Sequence, residues 1–288
     1  MATELYLRVA GRTDTGRVRQ RNEDAFIAMD LTRGDASTAP RWAGRFEVGR
    51  RGALVAVSDG MGGAQCGDVA SALVLSSLAQ ALAASPTSTT TSHAQIATAV
   101  QNAHQSVWAE GCARGIEMGA TLTAAFVHGS RAYVAEVGDS RAYLIRNGGI
   151  TQLTHDQSYV QMLLDHGAVD ENAAQDLPFR NVILQAMGHQ SQIKLALGRL
   201  DLRRRDCLLL CSDGLSNAMS DREMGEVILS SSDLQQATDR LVNLANERGG
   251  RDNETAVLVG FGGDLPPASR GESIEQTYRI LETFDPVH

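Results

Sequence analysis

The stretch that decides the fold of this chain is Leu54-Val-Ala-Val-Ser-Asp59-Gly-Met-Gly-Gly63. Its apolar part, between Ala53 and Val57, predicts a buried β-strand because it is short, partly β-branched and ended by glycines. Asp59 comes where this strand ends, and the glycines that follow predict a turn in which a ligand can approach the backbone closely. A carboxylate beside bare backbone suits a hard metal ion. The alternative is that Asp59 only caps the helix that follows.

The composition narrows the class of protein. The chain has 288 residues, 43% of them hydrophobic, and a formal net charge of −8. The acidic balance disfavours nucleic acid as a partner. No run of about 18 apolar residues predicts a membrane helix, and the N-terminus lacks the features of a signal peptide. The four cysteines lack zinc-type spacing and are expected to be free thiols. We therefore expect a cytoplasmic protein without a membrane partner.

Apolar periodicity predicts both helices and strands along the chain as far as residue 260. Helices are expected at residues 64–84, 94–110, 220–229 and 234–246. Strands are expected at residues 25–29, 53–58, 121–128, 131–137, 141–146, 207–212 and 255–260. Short glycine turns between residues 119 and 146 predict an antiparallel meander. Residues 31–52 are expected to form a surface excursion. The pattern favours one α+β domain over residues 1–263.

The C-terminal tail, residues 264–288, has a pattern of its own. Pro266 and Pro267 interrupt regular structure, and Ser273-Ile-Glu-Gln276 has the form of a capping box. Ile274, Tyr278, Leu281 and Phe284 follow at helical spacing, which predicts a short amphipathic helix. A helix this short must dock, either on the preceding domain of its own chain or on a partner or second copy.

Acidic residues recur where apolar strands begin or end. Asp59, Asp139, Asp213 and Asp252 each follow such a strand or lie in a glycine turn, and Glu23 and Asp24 stand at the start of another. If these strand ends meet at one edge of a sheet, the carboxylates repel one another by about 4 kcal/mol per pair at about 4 Å and a dielectric of about 20. The cluster therefore requires cations, unless each acid separately caps its own turn.

The residue types indicate which cation and which chemistry. Oxygen ligands favour Mg²⁺ or Mn²⁺ over zinc. Two ions bridged by one carboxylate form a site for displacement at phosphorus. Arg19 stands four residues before Glu23 and could bind a phosphate bidentately, although it could equally be a surface arginine beside Arg17 and Arg21.

Five motifs in order resemble the metal-dependent protein phosphatases of type 2C, the PPM family. They are Arg19-Gln-Arg-Asn-Glu23-Asp24, Asp59-Gly-Met-Gly-Gly63, Gly138-Asp-Ser-Arg141, Ser212-Asp-Gly-Leu215 and Gly250-Arg-Asp-Asn253. The resemblance covers about residues 11–262. It implies an α-β-β-α sandwich of two antiparallel sheets flanked by helices, with a binuclear metal site at one edge. It also implies hydrolysis of phosphoserine and phosphothreonine in proteins by attack of a metal-bridging hydroxide, with two Mn²⁺ or Mg²⁺ ions.

The resemblance also implies a role for each acid. Asp59 would bridge both ions, and the Gly60 carbonyl would bind one of them. Asp213 and Asp252 would hold the other ion. Glu23 and Asp24 match acids that bind metal directly or through water.

Three further features come with the resemblance. Asp139 matches the acid that, with Asp213, holds a possible third metal in bacterial relatives. Arg19 matches the phosphate-binding arginine of the family. Residues 156–181 match the mobile flap beside the site.

Three positions depart from the family pattern. Met61 stands where many eukaryotic relatives have a histidine proposed as general acid, which indicates the bacterial subgroup and leaves protonation of the leaving oxygen to metal-bound water. Gln157 replaces a usual histidine, and Glu254 replaces a usual aliphatic residue. Neither Gln157 nor Glu254 removes a ligand.

A metal-dependent phosphatase has two rivals, a phosphatase-like binding module and a phosphatase with an aspartyl nucleophile. A phosphatase-like module that binds or senses without turnover has no need of a full set of acids. A phosphatase with an aspartyl nucleophile usually needs Asp-x-Asp, and here Asp59-Gly60-Met61 lacks the second acid. We therefore expect a monomeric signalling enzyme whose partners are phosphorylated proteins, the substrates of a Ser/Thr kinase.

Overall fold

The computed structural model describes residues 5–61, 66–85, 93–170, 173, 174, 177, 179 and 182–286. Two antiparallel sheets pack face to face, and helices cover their outer faces. The six-stranded sheet contains, in spatial order, Gly149–Gln152 (β10), Arg141–Arg146 (β9), Cys207–Cys211 (β12), Glu254–Gly262 (β13), Tyr6–Asp14 (β1) and Arg41–Glu47 (β4). The main path of the second sheet contains Tyr278–Glu282 (β14), Ala196–Asp201 (β11), Arg131–Val137 (β8), Leu122–His128 (β7), Ala53–Met61 (β5), Asp24–Asp30 (β2) and Ala36–Ser37 (β3), and Gly119–Ala120 (β6) pairs with the end of β5. We call it the eight-stranded sheet.

The helices divide between the two outer faces. They are Gly67–Ala84 (α1), His93–Arg114 (α2), Tyr159–Asp165 (α3), Asp213–Ser216 (α4), Asp221–Leu229 (α5) and Leu234–Glu247 (α6). The first two pack on the eight-stranded sheet, and α5 and α6 cover the six-stranded sheet. By length and composition α1 is apolar enough to cross a membrane, but nearly half of its residues are buried in this packing. We therefore assign it to the core.

Strand β5 is apolar from Ala53 to Val57 because both of its faces are buried there. Leu54 and Ala56 pack with α1 and α2, whereas Val55 and Val57 pack between the sheets. A fully buried leucine or valine side chain contributes about 1.5–3 kcal/mol. The predicted strand is confirmed, and it continues to Met61, so Asp59 lies within the strand rather than after its end.

Two predictions about the connections are wrong. The expected meander stops after β8, because β9 leaves the eight-stranded sheet and pairs with β12 and β10. Gly138 makes the change of sheet possible: its φ is +106°, and a Cβ there would lie 2.8 Å from the side chain of Thr121. Residues 31–52 are not only a surface excursion, since β4 completes one edge of the six-stranded sheet against β1.

The predicted amphipathic helix in the tail is also wrong. Ile274–Gln276 forms a single 3₁₀ turn, the Ser273 side chain caps nothing, and Tyr278–Glu282 is a strand paired with β11. Pairing supplies hydrogen-bond partners to the backbone groups of β11, which a short isolated helix could not do. The Tyr278 hydroxyl also donates to the Leu153 carbonyl at 3.0 Å. The tail therefore docks on the chain's own sheet.

The packing of β14 on β11 predicts that substitutions at Gly198 and Tyr278 have non-additive effects on stability. A Cβ on Gly198 would lie 2.0 Å from Oη of Tyr278, so Gly198→Ala should lower the free energy of unfolding by roughly 1–3 kcal/mol. In a Tyr278→Ala background the same substitution should cost little, because the obstructing ring is gone. Urea unfolding of the four proteins measures the coupling. An equal cost in both backgrounds would contradict the seating of β14 on β11.

Candidate active site

The predicted site residues come together where the ends of the two sheets meet. A cavity of about 270 Å³ is lined by seven of the eight, namely Arg19, Glu23, Asp59, Gly60, Asp139, Asp213 and Asp252. Asp24 and Asp59 are directly opposite in the eight-stranded sheet, while Asp213 and Asp252 adjoin strands of the six-stranded sheet. Asp139 lies in the turn that crosses from one sheet to the other. The fold thus gathers acids that are far apart in sequence.

Asp24 is the eighth residue, and it lies just behind the cavity wall. Its Oδ2 accepts hydrogen bonds from the hydroxyls of Ser212 and Thr255, both at 2.6 Å. Its Oδ1 is buried and has no hydrogen-bond partner. One oxygen of Asp24 is therefore used to join the two sheets, and the other remains available.

Thr121 fixes the backbone of Asp59. The Asp59 N–H donates to Thr121 Oγ1 at 2.9 Å, and the Thr121 N–H donates to the Asp59 carbonyl at 2.8 Å. Thr121 Oγ1 also shares a 2.7 Å hydrogen bond with Ser140 Oγ, next to Asp139. Sequence reasoning did not identify Thr121, because its role arises only when β5, β6 and the sheet-crossing turn come together.

Two glycines allow Glu23 to approach the strand end. A Cβ on Gly60 would lie 2.0 Å from the Gly67 carbonyl oxygen, and a Cβ on Gly67 would lie 2.6 Å from Cδ of Glu23. The Gly60 N–H donates to the Glu23 carbonyl at 3.1 Å. Gly62 and Gly63, which the sequence assigns to the same turn, lie outside the described residues.

Asn253 attaches the loop that carries Arg19 to the start of β13. Its Oδ1 accepts from the Glu23 N–H at 2.8 Å, and its Nδ2 donates to the carbonyls of Thr15 and Arg21. Its place in the Gly250–Asn253 motif was the available sequence signal, but sequence reasoning gave it no role. Arg19 itself donates to Asp252 Oδ2 at 2.7 Å and is half-exposed.

The structure shows where the three residues that depart from the family pattern lie. Met61 lines the cavity. Gln157 is buried, accepts from the Gly138 N–H at 2.8 Å and donates to the Glu136 carbonyl, so it supports the crossing turn. Glu254 is buried, accepts from Asn246 Nδ2 at 2.8 Å and is not part of the cavity lining.

The first part of the predicted flap lies beside this cavity. Asp156 accepts from Arg141 at 2.6 Å, and Ser158 caps α3. A larger groove of about 830 Å³ runs between α3 and the segment from α4 to the start of α5, and it reaches Asp139 and Asp213. Much of the flap beyond residue 170 lies outside the described residues.

The cavity lining brings several carboxyl groups together with too few positive charges to balance them. Burial raises the pKa of Asp59 well above its usual value, and the charges of Asp24 and Asp213 add to the rise. Burial likewise raises the pKa of Asp139 and Asp213, and it raises that of Asp24 to about 7.

The only basic residue among the described lining residues is Arg19, whose own pKa is raised by its hydrogen bond to Asp252. Carboxylates with these properties are suited to cations.

A hard divalent cation fits this donor set. The lining offers carboxylates and backbone carbonyls, and Asp24 and Asp213 each have one buried oxygen without a partner. These are ligands of Mg²⁺ and Mn²⁺. Within the described residues, no group of three His, Cys, Asp or Glu side chains is already arranged around a common point as a metal centre. The fit therefore rests on composition and charge rather than on ligand geometry.

Comparison with known proteins identifies the family. The sequence profile of protein phosphatase 2C matches residues 32–258. The chain belongs to the protein phosphatase 2C family. The serine/threonine phosphatase stp of Listeria innocua is 35% identical over 254 residues, which are 86% of this chain and 93% of the relative. The serine/threonine protein phosphatase PstP of Mycobacterium tuberculosis is 36% identical over 256 residues, 88% of this chain but 45% of that protein.

Solved structures of phosphatase 2C relatives have the same fold. A crystal structure of M. tuberculosis PstP superposes with a TM-score of 0.74 at 35% identity, covering 88% of this chain and 98% of that one. The catalytic domain of PstP in complex with two manganese ions gives 0.73 at 34% identity, covering 89% and 99%. The predicted sandwich and the resemblance to bacterial PPM phosphatases are confirmed. Family membership and the manganese-bound neighbour support metal dependence.

The charge of the cavity predicts an unusual effect of Asp59→Asn. At neutral pH and without metal, the variant should have a higher free energy of unfolding than the wild type, because the amide carries no charge for burial and the neighbouring carboxylates to oppose. The gain should appear above pH about 4, where an unfolded aspartate ionises, and vanish below it. Added Mn²⁺ should raise the melting temperature of the wild type and not of the variant.

Asp264→Asn is the matched control, because Asp264 is exposed and outside the cavity. It should change neither the stability of the metal-free protein nor the response to Mn²⁺. If Asp59→Asn destabilises the metal-free protein and keeps that response, Asp59 is not part of a repelling, cation-binding cluster.

Proposed function

We propose that this chain is a Mn²⁺- or Mg²⁺-dependent phosphatase that hydrolyses phosphoserine and phosphothreonine esters in proteins. The observation that carries the proposal is the cavity itself. Acids contributed by both sheets face one another there, and one arginine stands at the rim. Family membership and the named activities of the relatives support the same conclusion.

The ligand assignments follow the family pattern and the observed positions. One ion is proposed to be bound by Asp59 and the Gly60 carbonyl, with Glu23 beside them. The other ion is proposed to be bound by Asp213 and Asp252, and Asp59 is proposed to contact both ions. Asp139 is proposed to hold a third ion with Asp213. Asp24 is proposed to act through water, because it lies behind the wall and one of its oxygens is engaged by Ser212 and Thr255.

The bound ions would activate water as a nucleophile and polarise the phosphate ester. The chain's own residues hold and orient the groups that would bind the ions and the phosphate. Thr121 fixes the Asp59 backbone, and Asn253 fixes the loop that carries Arg19. Arg19 has further donors besides the one used by Asp252, and it can neutralise equatorial phosphate oxygens as charge develops. The described lining residues include no histidine, so no imidazole acid is assigned.

A binding or sensing module without turnover is the alternative function. It would retain the fold but has no need of a cavity with every acid in place, and no observation favours it. The cytoplasmic location, the monomeric state and the opposing Ser/Thr kinase remain predictions. Phosphorylated proteins are the proposed partners because the relatives are named serine/threonine phosphatases.

Turnover of a phosphothreonine peptide tests the proposed function. Hydrolysis should require Mn²⁺ or Mg²⁺, stop on chelation and return when the ion is restored. Asp59→Asn should fall below about a tenth of the wild-type rate, a change of about 1.4 kcal/mol or more in the barrier. Asp264→Asn should retain it. Peptide binding without any metal-dependent release of phosphate would favour the sensing module instead.

Arg19→Ala should weaken phosphate recognition more than metal binding. Arg19 has no carboxylate to offer an ion, and its removal leaves Asp252 without a competing partner. We expect kcat/KM to fall at least tenfold while Mn²⁺ affinity measured by calorimetry is unchanged or tighter. Arg21→Ala is the matched control from the same loop. If Arg21→Ala has the larger effect, the phosphate-binding assignment moves to Arg21.

A further inference from the structure

A second cavity, of about 320 Å³, lies at the edge of the eight-stranded sheet where the tail is docked. It shares no lining residue with the candidate active site. One wall is the inner face of β8, β11 and β14, and Leu153–His155 form the opposite side. The volume lies within the range of about 300–1,000 Å³ typical of small-molecule sites. The tail strand thus forms one side of an open cavity that is large enough for a ligand.

The lining of this cavity combines apolar surface with acidic groups. Tyr278 and Phe284 contribute aromatic rings, and Ile280 contributes an aliphatic side chain. Glu136 and Glu282 contribute carboxyls, and no Lys or Arg is present among the described lining residues. Aromatic faces and carboxylates both attract organic cations. An anionic ligand would find no Lys or Arg among these residues, and His155, which also lines the cavity, is already paired with Asp165.

Glu136 has an oxygen that the fold does not use. The residue is 3% exposed, and its Oε2 accepts from the His155 N–H at 3.0 Å. Its Oε1 is buried and has no hydrogen-bond partner. Burial also raises the pKa of this carboxyl well above its usual value, as expected for an acid without a cation. A buried oxygen without a hydrogen-bond partner costs free energy, and a ligand that reached it from the cavity beside it would remove that cost.

The backbone at Glu136 is also held in place. Its carbonyl oxygen accepts from Gln157 Nε2, and the side-chain oxygen of Gln157 accepts in turn from the Gly138 N–H and from Gln185 Nε2. Together with the His155 N–H, which donates to the carboxyl, this support positions the residue before a ligand arrives.

We infer that this cavity binds a small organic ammonium ion, whose charged head pairs with Glu136 and whose apolar body lies against Tyr278 and Phe284. The ligand class is a primary amine attached to an aromatic or aliphatic group. The site is separate from phosphate hydrolysis, and it exists only because the tail forms a strand over the sheet edge.

Calorimetric titration of the whole chain with phenethylamine, in saturating Mn²⁺, tests this inference. The amine should bind with a dissociation constant of about 1 mM or tighter, as a small fragment in a formed pocket. Phenethyl alcohol, which has nearly the same shape without the charge, should bind at least tenfold more weakly. Glu136→Gln should weaken amine binding at least tenfold, because the amide keeps the hydrogen bond to His155 but carries no charge.

Three further variants locate the binding. Ala196→Leu should abolish it by filling the cavity without removing a charge, and it replaces Glu136→Gln as the test if that variant fails to fold. Asp201→Asn, at the end of β11 and outside the cavity, should leave it unchanged. Asp59→Asn should leave it unchanged as well, which excludes binding at the carboxylates of the active site.

The inference is overturned if the alcohol binds as tightly as the amine, if amine binding survives both Glu136→Gln and Ala196→Leu, or if no binding is measured.

Discussion

Repulsion among buried carboxylates is the constraint on which this structure depends. Burial raises the pKa of Asp24, Asp59, Asp139 and Asp213, and each charge makes its neighbours harder to ionise. The single basic lining residue described, Arg19, is engaged by Asp252. Such a cluster opposes folding, so the rest of the domain must hold it together and cations must neutralise it. The carboxylates of the cavity lower the stability of the metal-free fold, and the same carboxylates are suited to binding cations.

The two sheets supply the rigidity that holds these repelling carboxylates together. β5 is buried on both faces, between the helices and the second sheet, so the backbone of Asp59 cannot relax away from its neighbours. Asp24 adds a direct link, because its Oδ2 accepts from Ser212 and Thr255 of the opposite sheet. Thr121 and Asn253 then fix the two loops that complete the site. The acids are thus positioned by strands and by loops that hydrogen bonds hold in place.

Much of this arrangement is predictable from sequence because acids at the ends of apolar strands are a local pattern with one global consequence. The Asp59 stretch and the clustering of the acids follow from it, and apolar periodicity predicts the later helices. The change of sheet at Gly138 does not, since a short glycine turn reads as a hairpin until the packing of Thr121 is known.

The tail shows the same limit. Its apolar spacing fits one face of a helix, but the open edge of β11 offers backbone partners that no local pattern reveals. Asn253 and Thr121 were missed because each acts through contacts between distant segments.

Diffraction from crystals grown with Mn²⁺ tests the central claim most directly. Anomalous difference density should place two ions within the cavity lined by Glu23, Asp59, Asp213 and Asp252, with Asp59 contacting both, and Asp59→Asn crystals should lack the pair. Wild-type crystals with saturating Mn²⁺ and no anomalous density among these carboxylates, or with the same pair of ions in the Asp59→Asn variant, would contradict it.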